Sequence, residues 1–490
     1  MYVLQYCSLG ETEDSIHTWN DKGITLGKLE KHEEALSCFE EAIRLDPENP
    51  KTWWNIGITL VQQGKYEEVV ACFDKIIKFD PKISSSWNNK GTALLRLERH
   101  EEAIPCFEEA IRLDPEYSVA WNNKGSSLAS LGRHEEAIPC FEEAIRLDPE
   151  YSTAWNNKGT ALGELEKHAE SIACYDEVIM LEPENSTAWY NKGSSLDSLE
   201  RNEEALACYD EVIRLEPENS DAWYNKGISL SSLERNEEAL ACFDESIRLD
   251  PEDSVVWNGK GIVLDELERY EEAVACYDEA IRLDPENLAA RGNKGNLLLV
   301  LRRCEEAIAF FDESIRLDPE NPKAWNGKGT ALGELEKHAE AIACFDESIR
   351  LDPESSGVWN GKGIELASLE KHEEALACYD EAIRLDPEYS SAWNGKGIAL
   401  WELERYEEAI PCYDESIRLD PENSDMWYNK AIVLDELERY EEAVACYDEA
   451  IKLKPEYLVA LYSKGDSLRK WGRDEEAEQC LAKARELQQC

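Results

Sequence analysis

Residues 118–151 read SVAWNNKGSSLASLGRHEEAIPCFEEAIRLDPEY, and almost all of the 490-residue chain is a variant of this stretch. Trp121 recurs every 34 residues, as Trp19, Trp53, Trp87, Trp155, Trp189, Trp223, Trp257, Trp325, Trp359, Trp393 and Trp427. Arg291 and Leu461 fill the two remaining places. A fixed period in this range is the signature of stacked repeats sharing one core. Inside the unit, Trp121, Gly125, Leu128 and Leu131 are spaced four, three and three, which is one stripe of a helix. Ala137, Ile138, Phe141, Ala144 and Ile145 form a second stripe. Gly132-Arg133 separates the two, and Asp148-Pro149 ends the second. The unit is predicted to be a helix-turn-helix. Ser118 is the expected N-cap of the first helix, and Pro50 and Pro322, at the same place, suit a first helical turn.

Small residues mark where the two helices must approach. The Gly125 position is Gly in every unit except at Ala431, and the Ala137 position is Ala except at Val69 and Ser171. Trp121 and Phe141 are the large partners. A well-buried Trp there would be worth about 3–5 kcal/mol against Ala. The set Trp121, Gly125, Leu128, Ala137, Phe141, Ala144 and Pro149 resembles the tetratricopeptide repeat, in fourteen copies over residues 16–490. The resemblance implies an all-α fold, a right-handed α-solenoid (superhelix) of stacked helix-turn-helix units whose first helices line a concave face. Units are expected to start at 16, 50, 84, 118, 152, 186, 220, 254, 288, 322, 356, 390, 424 and 458 in a single solenoid. Residues 1–15 are expected to be a lead-in, with apolar Met1 to Cys7 covering the first pair. The polar final helix, with Lys483, Arg485, Glu486, Gln488 and Gln489, reads as a solvated cap. One departure from the family pattern is Lys124, kept as Lys in nearly every unit where the family has Leu. Its stem is expected to pack while its ammonium reaches an acidic neighbour.

The formal net charge is -53, spread evenly along the units. That charge argues against nucleic acid and anionic membranes as partners, since both demand a basic footprint. The acids read as a solvated outer face. No signal peptide or membrane span is read, so a cytoplasmic protein is expected. Thirteen of the 16 cysteines occupy the Cys140 position, one per unit, too far apart for disulfides and without metal-ligand spacing. They read as small core residues. Cys7, Cys304 and Cys490 stand apart, with Cys490 the expected reactive one. Pro105, Pro139 and Pro411 fall early in second helices and predict a mild adjustment there. The ninth unit loses the Trp to Arg291 and gains Phe310 in the Cys position, read as compensated packing. Units five apart are close copies: 159–179 nearly matches 329–349.

A chain built by copying offers no catalytic constellation. No phosphate loop, cofactor motif or metal site is read, and the histidines mostly fill the His134 position, so the protein is expected to be no enzyme and to need no cofactor. Function is expected on the first helices, where the positions of Asn122, Asn123, Ser126 and Ala129 are mostly uncharged. The Asn123 position reads Asn55, Asn89, Asn123, Asn157, Asn191 and Asn225, then Gly259, Asn293, Gly327, Gly361, Gly395 and Asn429. Side-chain amides carry an acceptor and two donors, so a spaced row suits an extended peptide backbone. The row is similar to the asparagine ladder of O-linked N-acetylglucosamine transferases. The alternative is that these amides bond a neighbouring repeat's backbone. The adjacent position adds Asn88, Asn122, Asn156, Tyr190, Tyr224, Tyr428 and Trp54, and Trp401 lies in the Ala129 position; the aromatics are candidate anchors. The expected function is a protein–protein interaction scaffold for an extended peptide or partner helix. A self-associating rod and a targeting subunit of a separate enzyme are the alternatives.

Overall fold

In the computed structural model, which describes the backbone of residues 2–489 and the side chains of residues 15–488, the described residues form twenty-eight α-helices and no strand. The helices pair. In the template unit they are Ser118–Ser130 and His134–Leu147. First helices start at 34-residue intervals, Pro50, Ser84, Ser118, Ser152 and so on to Leu458. Contacts group the chain into two compact units, Met1–Pro251 and Glu252–Cys490, each holding seven pairs.

The opening departs from the expected lead-in. The first helix runs unbroken over Tyr2–Lys28, through the predicted start at residue 16. Every later first helix follows a proline turn of the Asp-Pro-Glu type, which ends the helix before it. Residues 11–15 (ETEDS) hold no such stop. The capping by Met1 to Cys7 concerns side chains outside the described residues, as does Cys490.

The cap lies one residue earlier than predicted. Ser118 is already inside its helix, and the N-cap is Tyr117, whose side chain makes no cap bond. Where that residue is Asn or Asp the cap is made: Asn185 Oδ1 accepts from the Ala188 amide at 3.1 Å, and Asn219 Oδ1 from the Ala222 amide at 3.0 Å. The turn between helices holds one left-handed residue in each repeat. Gly132 takes φ 72° there, but Glu98, Glu166 and Glu336 take φ 57–58° at the same position. A β-carbon in that region costs about 1 kcal/mol, so most units accept strain where the template uses glycine.

Within a pair, the Phe141 ring is fully buried over Gly125. A β-carbon on Gly125 would sit 2.6 Å from the ring, so only Gly or a shifted Ala fits. The tryptophans are half-buried rather than deep, so the condition for the larger truncation cost is not met. Most instead tie down the preceding turn: Trp121 Nε1 donates to the Pro115 carbonyl at 3.1 Å, and Trp155 to Pro149 likewise. In the ninth pair Arg291 makes this bond in place of Trp, through Nε at 3.1 Å and Nη2 at 2.7 Å to the Pro285 carbonyl. Helices run unbroken past Pro105, Pro139 and Pro411.

The lysine row finds the partners expected of it. Lys124 Nζ lies 2.9 Å from Glu108, and Lys192 and Lys362 lie 2.6 Å from Asp176 and Asp346, on the second helix of the preceding pair. Several of these ammonium groups also sit over their own Trp ring, as Lys192 does at 5.6 Å from Trp189. In the ninth pair Lys294 is buried, pairs with Asp278 and sits 4.3 Å over Phe310. Phe310 thus supplies the ring that the lost Trp gave elsewhere.

Candidate functional site: the first-helix face

First helices also touch the next first helix, as Ser84–Arg96 meets Ser118–Ser130 and Ser118–Ser130 meets Ser152–Glu164. No contact of that extent joins successive second helices among the described residues. The first-helix layer is therefore the tighter one within each unit, and its free face carries the uncharged positions. The second helices carry the acids. There Arg133 and Arg146 hold Glu136 and Glu143 at 2.6 Å on exposed surface. Hydrogen bonds from those guanidinium groups keep both carboxyls below the ordinary value.

The asparagine row is largely committed to the stack. Asn123 Nδ2 donates to Asn88 Oδ1 at 3.1 Å, and Asn157 Nδ2 to Asn122 Oδ1 at 3.0 Å and Ser126 Oγ at 3.3 Å. Asn55, Asn293 and Asn429 bond Asn20, Asn258 and Asn394 in the same way, and Asn225 donates to the Tyr190 hydroxyl at 2.7 Å. Each amide reaches the neighbouring repeat's side chain, not its backbone. Asn89 and Asn191 are half-buried on the same row. Asn88 and Asn122, expected on the open face, are 4 % exposed and are acceptors within the stack. Asn156 is half-buried, with a buried Oδ1 that has no partner. Where the row turns to glycine, the preceding aromatic moves in. A β-carbon on Gly395 would lie 2.6 Å from the Tyr379 ring.

The aromatic candidates also pack inward. Trp54 meets Phe73 edge-on at 5.4 Å, Tyr190 meets Tyr209 at 6.1 Å, and Tyr224 meets Phe243 at 5.9 Å. Tyr428 lies between Tyr447 and Tyr457, at 5.9 and 5.2 Å. Trp401 packs against the core around Leu400 and Tyr413. These rings are half-buried, and each packs on an aromatic or apolar neighbour within its own unit.

Two features escaped the sequence reading. The first is the Ser126 position, where isoleucines stand in solvent: Ile58 is 42 % exposed and Ile364 48 %, with Ile24, Ile228 and Ile262 also exposed. The signal was present as a drift between Ser, Thr and Ile. The second is a set of carboxylates on this layer. Asp197 accepts from the Tyr209 hydroxyl and Ser229 Oγ, both at 2.7 Å. Asp435 accepts from Tyr447 and Ser467 at 3.1 and 2.6 Å. Burial pushes both carboxyls above the ordinary value. Glu365 Oε2 lies 2.7 Å from His338 Nδ1, within hydrogen-bond distance.

The cysteine row lies away from this face. Cys140 is buried and its thiol reaches the Glu136 carbonyl at 3.6 Å. Burial pushes Cys72 up to about 12 and Cys174 and Cys208 to about 11, so these thiols are poor nucleophiles. Cys304, set apart in the sequence, is also buried. Among the described residues no cluster of His, Cys, Asp and Glu is arranged to hold a metal, and no helix is long and apolar enough to cross a membrane.

No curated protein matches the chain closely enough to count as a relative. Among solved structures, the Cut9–Hcn1 hetero-tetramer of the APC/C is similar at 15 % identity and a TM-score of 0.46, over 93 % of this chain and 96 % of that one. YrrB, described as a TPR protein with an unusual peptide-binding site, is similar at 27 % identity and TM-score 0.33, over 38 % of this chain and 97 % of that one. A MamA RS-1 ArsTM double mutant is similar at 21 % identity and TM-score 0.33, over 34 % of this chain and 94 % of that one. Family models give the direct assignment. One tetratricopeptide repeat model matches residues 88–152, 190–254, 258–322, 360–424, 394–457 and 428–489. Two others described as tetratricopeptide repeat match 322–355, and 50–83 with 152–185, and a TPR repeat model matches 27–64. The matches cover well over half of the sequence, and the chain belongs to the tetratricopeptide repeat family.

Proposed function

We propose that the protein is a non-catalytic scaffold that takes an extended peptide or a partner helix along its first-helix face, with residues 16–490 acting as one solenoid. The observation that carries this is the row of exposed isoleucines. Ile262 and Ile364 stand in water, and Ile398 and Ile432 are half-exposed at the same position. An exposed β-branched side chain that recurs at one position from repeat to repeat lines up an apolar stripe, which favours a contact face over scattered single exposure. The asparagines support the reading in a narrower way than a free ladder would. With the Asn157 amide nitrogen engaged twice, its carbonyl oxygen is what remains for a peptide N–H. The acidic second helices favour a ligand with basic flanks and disfavour nucleic acid and anionic lipid.

The test is selection of peptides from a displayed random library on the full chain, followed by binding to Ile262→Asp and Ile364→Asp variants. Enriched peptides that lose about tenfold or more in affinity, with helicity unchanged, support the reading. Failure to enrich any peptide, or binding untouched by both substitutions, overturns it.

A further inference from the structure

The near-copies at 159–179 and 329–349 differ at three positions, Ser171/Ala341, Tyr175/Phe345 and Val178/Ser348. Each copy begins its second helix with a histidine, His168 or His338, and each has glycine on the preceding first helix, Gly163 or Gly333. What differs is the next repeat. At the same position it offers Glu365 after the later copy but Ser195 after the earlier one.

In the later copy Glu365 is 9 % exposed, and its Oε2 lies 2.7 Å from His338 Nδ1. It lies so close over Gly333 that a β-carbon there would collide with the carboxylate. In the earlier copy that space is empty. A cavity of about 220 Å³ remains, lined by Gly163, His168, Ser195, Thr160, Tyr175 and Asn191 among others. His168 Nδ1, the atom that corresponds to the one Glu365 engages, is buried and has no partner, as is Nδ1 of His32, His100, His134 and His372 at the same position; what sets His168 apart is the cavity beside it. A β-carbon on Gly163 would meet only Ser171 Oγ at 3.6 Å, an ordinary contact.

We infer that the Gly163–His168–Ser195 cavity is a carboxylate-binding site, with Glu365 in the later copy occupying the equivalent site as a built-in ligand. A carboxylate oxygen accepts from His168 Nδ1–H, while the hydroxyls of Tyr175 and Ser195, which bond Thr160 Oγ1 and Ser171 Oγ, must turn from those partners to add a second donor. The ligand is a small carboxylate on a short apolar stem. It arrives either as a free acid or as the Glu side chain of a bound peptide. The peptide source rests on the groove reading above; the free-acid source does not. Glu164 also lines the cavity. Its counterpart Glu334 is paired with Arg302, whereas Gly132 stands at the Arg302 position here, so the uncompensated charge keeps affinity modest.

The probe is sodium propionate, with propionamide as its neutral isostere, titrated into the full chain with histidine 15N-labelled and ring resonances assigned by single His→Gln variants. The expected result is a saturable shift of the His168 ring nitrogens with propionate and none with propionamide. Gly163→Ala keeps the fold, since its β-carbon has room, yet abolishes the shift. Glu365→Ser gives His338 a propionate response it lacks in the parent chain, and Glu164→Gln tightens binding several-fold. A His168 ring that ignores propionate, or a Gly163→Ala chain that binds as well as the parent, overturns the site. A capped tripeptide with central Glu, compared with its Gln analogue, then separates the sources. A tighter His168 response to the Glu peptide than to propionate assigns the peptide side chain. A response to propionate alone keeps the site and assigns the free acid, leaving the groove reading to its own test.

Discussion

The junction after residues 159–179 and the junction after 329–349 start from nearly one sequence and end as two different interiors. After the later copy, Glu365 reaches back, pairs with His338 and fills the space over Gly333. After the earlier copy, Ser195 stops short, bonds toward Ser171 Oγ at 3.4 Å and leaves a cavity and an unpartnered imidazole nitrogen. The same two junctions differ once more at the Ala129 position. Asp197 holds Tyr209 and Ser229 on one side, and Ala367 makes no such bond on the other. In a stacked-repeat chain the chemistry of a site is set by the neighbour that covers it, not by the repeat that carries it.

The comparison breaks most readily at the shared core. Tyr175→Ala and Phe345→Ala each remove a ring buried over a glycine. Each should cost about 3–5 kcal/mol in local stability by native-state hydrogen exchange. A gap of more than about 1 kcal/mol between them would mean that the two frameworks are not equivalent. Next comes the built-in ligand. Glu365→Ser should cost about 1–2 kcal/mol, because it strands His338 Nδ1 as His168 Nδ1 is stranded already. Denaturant melts that show no loss would mean that the pair is bystander geometry.

Smaller effects sharpen the contrast. Ser171→Ala makes the earlier copy resemble the later one and removes a 2.7 Å bond to the Gly159 carbonyl. It should cost about 1 kcal/mol or less, and a larger loss by hydrogen exchange would show that Ser171 organises the cavity. Glu166→Gly and Glu336→Gly relieve left-handed residues at φ 58° and 57°. Both should raise stability by about 0.5 kcal/mol, and opposite signs in thermal melts would refute a common turn geometry.

The smallest expected effect is a pH slope. Burial holds the Asp197 carboxyl above its ordinary value, so the folded chain binds that proton more tightly than the unfolded one. Its contribution is fully present at acid pH and is lost as pH rises from the ordinary carboxylate range through the raised folded value. Asp197→Asn should flatten that part of the stability profile. An unchanged profile across a series of acid melts would remove Asp197 from the account.

Most of the fold was legible because the repeat states it many times. Gly125, Ala137 and Phe141 predicted a close helix pair, and the ring over Gly125 is that contact. Lys124 was readable too, since a long stem among acids has few places to go, and Glu108 holds it. The N-cap was misplaced by one residue because Ser118 and Tyr117 both precede the apolar stripe and only backbone angles separate them. The repeat pattern left the depth of the tryptophans open, and they are half-buried because the indole also serves as a hydrogen-bond strap to a proline carbonyl at the surface.

The candidate site was legible only in outline. The sequence alone placed an uncharged row on the first helices, and nothing local to Asn123 or Asn157 distinguishes an amide free for a peptide from one bonded to the next repeat. That choice depends on a partner about one repeat away, Asn88 or Asn122, and on a distance of about one hydrogen bond. The 34-residue pattern by itself determined the helix pairs, their close faces and the charged outer layer, because each follows from spacing within one unit. Only the tertiary structure decided which amides are spent, which isoleucines remain in water and which histidine finds a carboxylate partner. Those are properties of the gap between two repeats, and residues in contact across it lie about 25–35 positions apart in the chain.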